Sequence, residues 1–187
     1  MAINYSDSIK GLDLFSLPDS DITAMAEMII NCQKKRSVTP LAQDVQESFI
    51  RSYLRSPLAS LIKVHDDSKF IAFIILAPVV FWADEGYSKE AKDWLISEGV
   101  DITKVFSKHH AVDTDYNGQG ITTEMKKRCN AEAKKDGFVG NMVWGMKDKV
   151  HYDHAINTYP DIGATLKMSD IDGASGTHGK IGFATLV

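Results

Sequence analysis

A strand turns into a helix across two glycines in residues 112–125, which read VDTDYNGQGITTEM. The glycines, Gly118 and Gly120, follow a valine-led extended run and precede a segment that suits a helix. The first amide N–H groups of a helix have no partner within it, and the helix dipole adds about half a positive charge there. Because glycine has no side chain, the backbone can approach an anion closely. The pattern is typical of a phosphate-binding turn, and equally of a plain turn that binds nothing.

Several ligand classes do not fit this chain. The turn lacks the Gly-Lys-Ser/Thr ending of a nucleoside-triphosphate loop and the three-glycine spacing of a dinucleotide fold. The net charge of −4 and the pI near 5.8 give no basic footprint for nucleic acid. His151 and His154 lack a third ligand at a recognised spacing, so no metal is expected. The sequence contains no apolar run of the length that spans a membrane.

The composition is that of an ordinary globular protein, with 44% hydrophobic and 25% charged residues, so a buried core is expected. The first residues, MAINYSDSIKG, lack the basic region followed by an apolar stretch that is typical of a secretory signal, so none is expected. Cys32 and Cys129 lie far apart, which predicts two free thiols in a reducing compartment. The expected location is therefore the cytoplasm.

The hydrophobic pattern predicts one mixed α/β domain over residues 1–187, with an insertion at about 83–101. Strands are expected at 12–17, 60–65, 69–81, 104–113, 138–146, 165–171 and 180–187. Helices are expected from an N-cap at Ser20 to Arg36, from Thr39-Pro40 to Ser56, at 88–97, from Gly120 to a terminator at Gly137, and at 152–159.

Spacings of three and four residues predict apolar faces on the helices, with Ile22, Met25, Ile29 and Cys32 on the one that ends at Arg36. The helix after the glycine turn would use Ile121, Met125, Cys129 and Ala133. The helix that begins near Thr39 would use Leu41, Val45, Phe49 and Tyr53.

Residues 112–138, VDTDYNGQGITTEMKKRCNAEAKKDGF, resemble the acyl-CoA-binding segment of the GCN5-related N-acetyltransferase superfamily. Members carry a strand that ends in valine, an acidic-aromatic lead-in, and then Arg/Gln-x-x-Gly-x-Gly/Ala at the start of a helix. Gly120 matches the fixed glycine of this pattern. Asn117 stands where arginine or glutamine is usual, and Thr122 stands where the small last residue is usual.

A second stretch, YDHAINTYPDIGA at residues 152–164, is similar to the family's Asn-x-x-Ala…Tyr…Gly-Phe pattern. Ala155, Tyr159 and Gly163 stand at that spacing, while Tyr152 and Ala164 replace the usual asparagine and phenylalanine. The predicted order of strands and helices resembles the family over nearly the whole chain.

This resemblance implies a mostly antiparallel central sheet flanked by helices, with the inserted loop and helix before the fourth strand. It implies acetyl-CoA as co-substrate, without a metal. Its diphosphate would lie on the amides of the glycine turn, and its pantetheine arm would lie along the end of the preceding strand. The implied contacts are Ala111, Val112, Thr114, Asn117, Gly118, Gln119, Gly120, Ile121 and Thr122.

The implied catalytic residues are Tyr159 and His110. Tyr159 stands where the family places a tyrosine that protonates the leaving thiolate. Alternate strand residues share a face, so His110 lies on the same face as Phe106 and Lys108, the positions where the family's base is found. Neither of these two suits a general base, whereas His110 could accept a proton directly or through water. A structural role for His110, with ordered water as the base, is the alternative.

The expected reaction is acetyl transfer to a primary amine on a small molecule, a protein lysine or a protein N-terminus. A catalytically weak or inactive CoA-binding module is the alternative. The acidic insertion is interpreted either as a solvated amphipathic helix or as a substrate lid that favours basic acceptors. A homodimer is possible; no nucleic-acid or membrane partner is expected.

Overall fold

The computed structural model of the chain describes residues 2–37, 39–82, 86–144, 164–168 and 181–187. The chain divides into two compact units. The first comprises Met1–Ala77 and His109–Cys129, and the second comprises Pro78–Lys108 and Asn130–Val187. The expectation of one domain stays a prediction, and each unit is described by itself below.

The strands are β1 (Ile3–Tyr5), β2 (Ile9–Lys10), β3 (Ser60–Asp66), β4 (Lys69–Pro78), β5 (Val105–Val112), β6 (Gly140–Trp144), β7 (Ala164–Met168) and β8 (Ile181–Leu186). The helices are α1 (Leu12–Phe15), α2 (Asp19–Lys35), α3 (Gln43–Leu54), α4 (Gly86–Ser97) and α5 (Ile121–Lys135). Every strand predicted from residue 60 onward is confirmed, and the ends that fall within the described residues differ from the predicted ones by a few positions. The helix predicted at 152–159 lies outside the described residues.

The strands of each unit are mostly antiparallel. In the first unit the order is β1–β3–β4–β5; β2 also pairs with β3, and β1, β2 and β4 all run antiparallel to β3. In the second unit the order is β5–β6–β8–β7; β6 is parallel to β5, and β8 is antiparallel to both β6 and β7. The parallel pair follows from the crossover through α5, since parallel strands need a long connection. The mixed α/β fold with a mostly antiparallel sheet is confirmed.

The core of the first unit forms where α2 and α3 pack on β3, β4 and β5. It is built from Leu14, Ile22, Met25, Ala26, Met28, Ile50, Leu54, Ala59, Leu61, Phe73, Ile75 and Ala111. The predicted apolar face of α5 is also confirmed, because Ile121, Met125, Cys129 and Ala133 are all buried. Gly137 ends that helix with a φ of 84°, and Phe138 N–H donates to the carbonyl of Ala133 at 3.0 Å.

The insertion forms the helix α4, which packs into the core of the second unit. Ala91, Trp94 and Leu95 are buried there in a cluster with β5, β6 and β8 residues such as Val105 and Phe183. The side chains at 89, 90 and 93 are exposed, so the helix is amphipathic as expected. It precedes the fifth strand rather than the fourth, because two short strands form in the first ten residues.

The strand predicted at Leu12–Leu17 is wrong. Residues Leu12–Phe15 form the short helix α1, which buries Leu14 and leaves Leu12 84% exposed. A short apolar run does not distinguish a strand from a helix by periodicity alone. The edge of β3 is instead covered by β1 and β2.

The predicted apolar face and start of α3 are also wrong. The helix begins at Gln43 after Ala42, and its buried positions are Gln46, Ile50 and Leu54. Val45 and Phe49 are 41% and 43% exposed. The side of α3 that faces α2 is mixed: Ile50 and Leu54 enter the core, while the carboxylate of Glu47 accepts a hydrogen bond from the Thr23 hydroxyl at 3.0 Å and another from the Gln43 amide. Leu41 is likewise 46% exposed, whereas Tyr53 packs partly against the core.

Candidate functional site

The end of β5 presents its backbone groups to two opposite edges. The N–H of Asp113 donates to the carbonyl of Ile71 in β4 at 2.7 Å. Because successive N–H groups of a strand point to opposite edges, those of His110 and Val112 point away from β4. The ladder with β6 ends at the pair Ser107–Met142, and β5 continues beyond it. The Val112 amide, at the end of β5, therefore faces the edge of the strand opposite β4.

The loop after β5 is tied to the β3–β4 hairpin. A 3₁₀ turn spans Thr114–Tyr116. The Asp113 carboxylate accepts hydrogen bonds from the Asp115 N–H at 3.1 Å and from Lys69 Nζ at 2.8 Å. The Tyr116 hydroxyl donates to Asp66 at 3.0 Å. These contacts fix the direction in which the chain enters the glycine turn.

The ionisation of the Asp113 carboxyl strengthens this attachment. Burial raises the pKa of Asp113, but the hydrogen bonds from Lys69 and Asp115 and the charge of Lys69 lower it further, so the pKa lies below its usual value. Asp113 therefore remains charged at neutral pH. The hydrogen bond to Asp66 and burial together raise the pKa of Tyr116, so its hydroxyl keeps the proton that it donates.

The glycine turn has a backbone that favours glycine at both positions. Gly118 has a φ of 81° and Gly120 a φ of 75°, and a Cβ at either position would meet only open space. Glu124 N–H donates to the Gly120 carbonyl at 3.1 Å, which is the first hydrogen bond of α5. The N–H groups at residues 121–123 precede that bond and have no helical partner. An exposed turn of this shape, directly before a helix, can accept an anion such as a phosphate group.

The structure gives each predicted contact residue a position in the first unit. Ala111 and Val112 are buried at the end of β5, and Ile121 is buried at the start of α5. Thr114 and Thr122 are half-buried. The exposed members of the set are Asn117, Gly118, Gln119 and Gly120. Tyr159 lies outside the described residues, as do His151 and His154.

The faces of β5 alternate as predicted. Phe106 is fully buried, with its ring centroid 5.4 Å from that of Phe138. Lys108 follows on the same face, and its ammonium donates to Asn130 at 2.8 Å and lies 5.7 Å from the Phe106 ring. These contacts indicate a structural role for Lys108 rather than the role of a general base. The imidazole of His110 is exposed, as a residue that meets an external substrate would be.

Sequence reasoning missed a contact made by His109, the neighbour of His110. Its ring stacks on Tyr53 of α3, with ring centroids 3.7 Å apart and an angle of 18° between the planes. Burial lowers the pKa of His109 from 6.5 to about 4, and burial raises the pKa of Tyr53. His109 is therefore neutral at physiological pH. Nothing in the local sequence pairs residue 53 with residue 109, so only the fold could reveal this contact.

Because of His109, we expect the free energy of unfolding to fall by about 1–2 kcal/mol as the pH is lowered from about 6.5 to about 4. This magnitude is smaller than the full pKa shift would give, because the side chain is partly exposed to solvent. The folded-state pKa lies below the ordinary value, so in this window the unfolded chain binds a proton that the folded protein does not. The stabilisation is complete above pH 6.5 and is lost as the pH falls through 4. Urea unfolding at several pH values measures it.

The matched pair of variants is His109→Gln and His110→Gln, which remove a stacked and an exposed imidazole from adjacent positions. His109→Gln should flatten the pH dependence, whereas His110→Gln should keep it. Equal pH dependence in the two variants would contradict the assignment.

Two further properties of the described residues bear on the class of site. None of the described helices is long and apolar enough to cross a membrane. Within the same part of the chain, no group of three or more His, Cys, Asp or Glu side chains is arranged to hold a metal ion.

No known family model matches the chain, and no curated protein matches it. Among solved structures, it is similar to an acetyltransferase of the GNAT family from Staphylococcus aureus, with 13% identity, coverage of 100% of both chains and a TM-score of 0.63. A GCN5-related N-acetyltransferase from Kribbella flavida gives 11% identity, coverage of 99% of this chain and 98% of that one, and a TM-score of 0.62.

The ribosomal-protein-S18-alanine N-acetyltransferase of Escherichia coli gives 16% identity, coverage of 99% of this chain and 93% of that one, and a TM-score of 0.53. Identities this low carry information about the fold and not about the reaction. The fold is nevertheless matched from end to end. This chain has the fold of the GCN5-related N-acetyltransferases.

Proposed function

We propose that the protein is an acetyl-CoA-dependent N-acetyltransferase that transfers an acetyl group to a primary amine by direct attack on the thioester. The observation that carries the proposal is the exposed turn with Gly118 and Gly120 at positive φ, directly before the unpaired amides of α5. In a chain of this fold, that turn follows the end of β5, along which the rest of the donor could bind.

The donor would bind along the end of β5 and over the start of α5. The amides from Gly118 to Thr122 would hold the diphosphate, with the side chains of Asn117 and Gln119 beside it. The pantetheine arm would add to β5 as an extended strand along Ala111 to Thr114. Of these residues, Val112 directs its N–H away from β4, which leaves that amide available to the ligand.

The reaction needs a neutral amine. An amine with a pKa of about 10.4 carries a penalty of about 4.6 kcal/mol at pH 7, so a base or a pocket that lowers this pKa must contribute. We assign the base role to His110, directly or through a water molecule. Its imidazole is exposed on β5, near the amides that would polarise the thioester carbonyl.

In the proposed reaction, the acetyl group passes from the sulfur of CoA to the nitrogen of the amine. The amine nitrogen attacks the carbonyl carbon, its proton passes to the base, and the C–S bond breaks. Tyr159 protonates the departing thiolate. Transfer from a phenol with a pKa of about 10 to a thiolate near 8.5 is uphill by about 2 kcal/mol, which a concerted step tolerates.

The acceptor is proposed only as an amine, on a small molecule, a protein lysine or an N-terminus. The proposed lid role of the insertion receives less support, because α4 places Ala91, Trp94 and Leu95 in a core. The second candidate function is a CoA-binding module with weak or absent turnover. It is favoured by Asn117 and Thr122, which depart from the family pattern. It is also favoured by Lys108, which stands at a position where the family's base is found but donates a hydrogen bond to Asn130.

Thioester consumption tests the proposal directly. Purified protein with acetyl-CoA and a panel of amines and peptides should release free CoA at a rate that depends on the amine. The rate should rise with pH through the imidazole range, and His110→Ala should remove that rise. CoA binding without release across the panel would favour the module. A protein that binds no CoA would contradict both functions.

A further inference from the structure

The hairpin between β3 and β4 ends in a tight turn that brings two charged side chains together. Asp66 and Lys69 are register partners at the end of β3 and the start of β4. Asp67 takes a positive φ of 51° in the turn that joins them. Partners of an antiparallel pair point to the same face of the sheet, so the side chains of Asp66 and Lys69 lie side by side.

Both of these side chains reach the loop that leads from β5 to the glycine turn. The Lys69 ammonium lies 2.8 Å from the Asp113 carboxylate, and Asp66 accepts a hydrogen bond from the Tyr116 hydroxyl at 3.0 Å. The ammonium also lies 5.1 Å from the centroid of the Tyr116 ring. Asp113 and Tyr116 are themselves joined, because the Tyr116 N–H donates to the Asp113 carbonyl at 2.9 Å. We call the two side-chain contacts, Lys69–Asp113 and Asp66–Tyr116, the hairpin tether.

The hairpin tether shortens the part of the chain that is held by nothing but its own backbone. Tyr116 is 9% exposed and Ile121 is 2% exposed, so the chain is packed in the first unit at both ends of the glycine turn. Residues 117–120 lie between them and are exposed. Without the tether, the loosely held segment would extend back almost to the end of β5. A longer segment loses more conformational entropy when it is ordered.

The two glycines make the turn possible but do not select its conformation. Glycine adopts positive and negative φ about equally well, so Gly118 and Gly120 leave the direction of the following amides open. Groups that are ordered only on binding lower the affinity for the ligand. The contact at Tyr116, close before Gly118, is therefore placed to align the turn before a ligand arrives.

The Asp66–Tyr116 contact is the stronger half of the tether. The Asp66 carboxylate is a charged acceptor, and hydrogen bonds to charged groups are stronger than those between neutral groups. In the part of the chain that the structure describes, its second oxygen, Oδ1, is buried without a donor. Loss of the Tyr116 hydroxyl would therefore leave this carboxylate poorly satisfied. The Lys69–Asp113 ion pair is more exposed, with 54% of the Lys69 side chain accessible, so it contributes less.

We propose that Tyr116 and Lys69 are positioning residues for the acyl donor: through the hairpin tether they hold the glycine turn in its binding conformation, and they raise donor affinity without touching the donor. This inference rests on the proposed function and adds a determinant that lies on a different hairpin from the turn itself. It separates affinity from chemistry, because the tether contacts neither the thioester nor the proposed base.

Binding measurements on single variants test the tether. In Tyr116→Phe, which changes no charge, the Kd for CoA should rise about three- to tenfold, as for the partial loss of a hydrogen bond to a charged group. In Lys69→Met it should rise about threefold at low salt, and this ratio to the wild type should shrink at high salt. Lys69→Arg should keep most of the affinity. The kcat at saturating acetyl-CoA should change less than about twofold in all three variants.

Lys63→Met is the matched control, since it removes the ion pair between Lys63 of β3 and Asp21, at 3.0 Å, within the same unit. It should leave the Kd for CoA almost unchanged. Equal weakening of CoA binding in Lys63→Met and Lys69→Met would assign the effect to general destabilisation and overturn the tether. A loss of kcat at unchanged Kd would overturn it as well.

NMR of the ligand-free protein tests the positioning directly. The backbone order parameters of Gly118 and Gly120 should fall in Tyr116→Phe and stay at wild-type values in Lys63→Met. Unchanged order parameters in Tyr116→Phe would overturn the inference.

The two levels of the proposal fail in different ways. A wild-type protein that binds CoA with an affinity unchanged in Tyr116→Phe and Lys69→Met overturns the tether and leaves the proposed function intact. A wild-type protein that binds neither CoA nor acetyl-CoA overturns both.

Discussion

Replacing Tyr159 by phenylalanine should lower kcat about 10²–10⁴-fold while leaving the KM for acetyl-CoA nearly unchanged. The phenol donates its proton only as the C–S bond breaks, so its removal affects the transition state and not the bound ground state. Without it, a thiolate must leave unprotonated or take its proton from water. Steady-state release of CoA, measured with saturating amine, gives both constants.

Tyr152→Phe is the control for this variant, since it removes a phenol from the same segment at a position without the proposed role. It should retain activity within about threefold. A Tyr159→Phe variant with wild-type kcat would remove Tyr159 from the mechanism, and equal losses in the two variants would indicate a structural effect. Either result would leave donor binding at the glycine turn untouched.

Replacing Gly120 by alanine should raise the Kd for acetyl-CoA at least about tenfold. An L-residue at a φ of 75° has a conformational cost of about 1–2 kcal/mol, so the turn would relax and rotate its amides away from the phosphates. Since a Cβ at Gly120 would meet no protein atom, the effect would come from the backbone and the ligand and not from a clash within the protein. Isothermal titration of CoA measures the change.

Gly137→Ala is a closely matched control. Gly137 has a φ of 84°, and a Cβ there would also meet open space, but the residue lies at the opposite end of α5. Both variants should lose a similar amount of unfolding free energy. Only Gly120→Ala should lose affinity for CoA, and equal affinity in the two variants would mean that the turn does not contact the ligand.

The glycine turn and α5 could be predicted from the sequence because their signals are local. The apolar positions of α5 recur at helical spacing, and Gly118 and Gly120 have the positive φ values that a turn between a strand and a helix requires. The alternation of faces along β5 was equally local. Phe106 and Lys108 therefore lie on one side and His109 on the other, as predicted.

Contacts between distant segments determined the features of the fold that could not be predicted from the sequence. The buried face of α3 was predicted wrongly, because it is set by packing on α2, where Ile50 and Leu54 join the core and Glu47 pairs with Thr23. The strands β1 and β2 exist through their pairing with β3, which lies some fifty residues later. Their own short sequences carry no signal of that pairing.

The same distinction applies to the site. The glycine turn and the start of α5 follow from residues close in sequence, since they depend on local dihedral angles. The entry to the turn is instead fixed by the contacts of Asp113 with Lys69 and of Tyr116 with Asp66. The stacking of His109 on Tyr53, and the hydrogen bond from the Cys32 thiol to the carbonyl of Val112, join residues that lie far apart in the chain. Periodicity reports only which face of an element a residue occupies, whereas the packing of one element on another determines which side chain it meets.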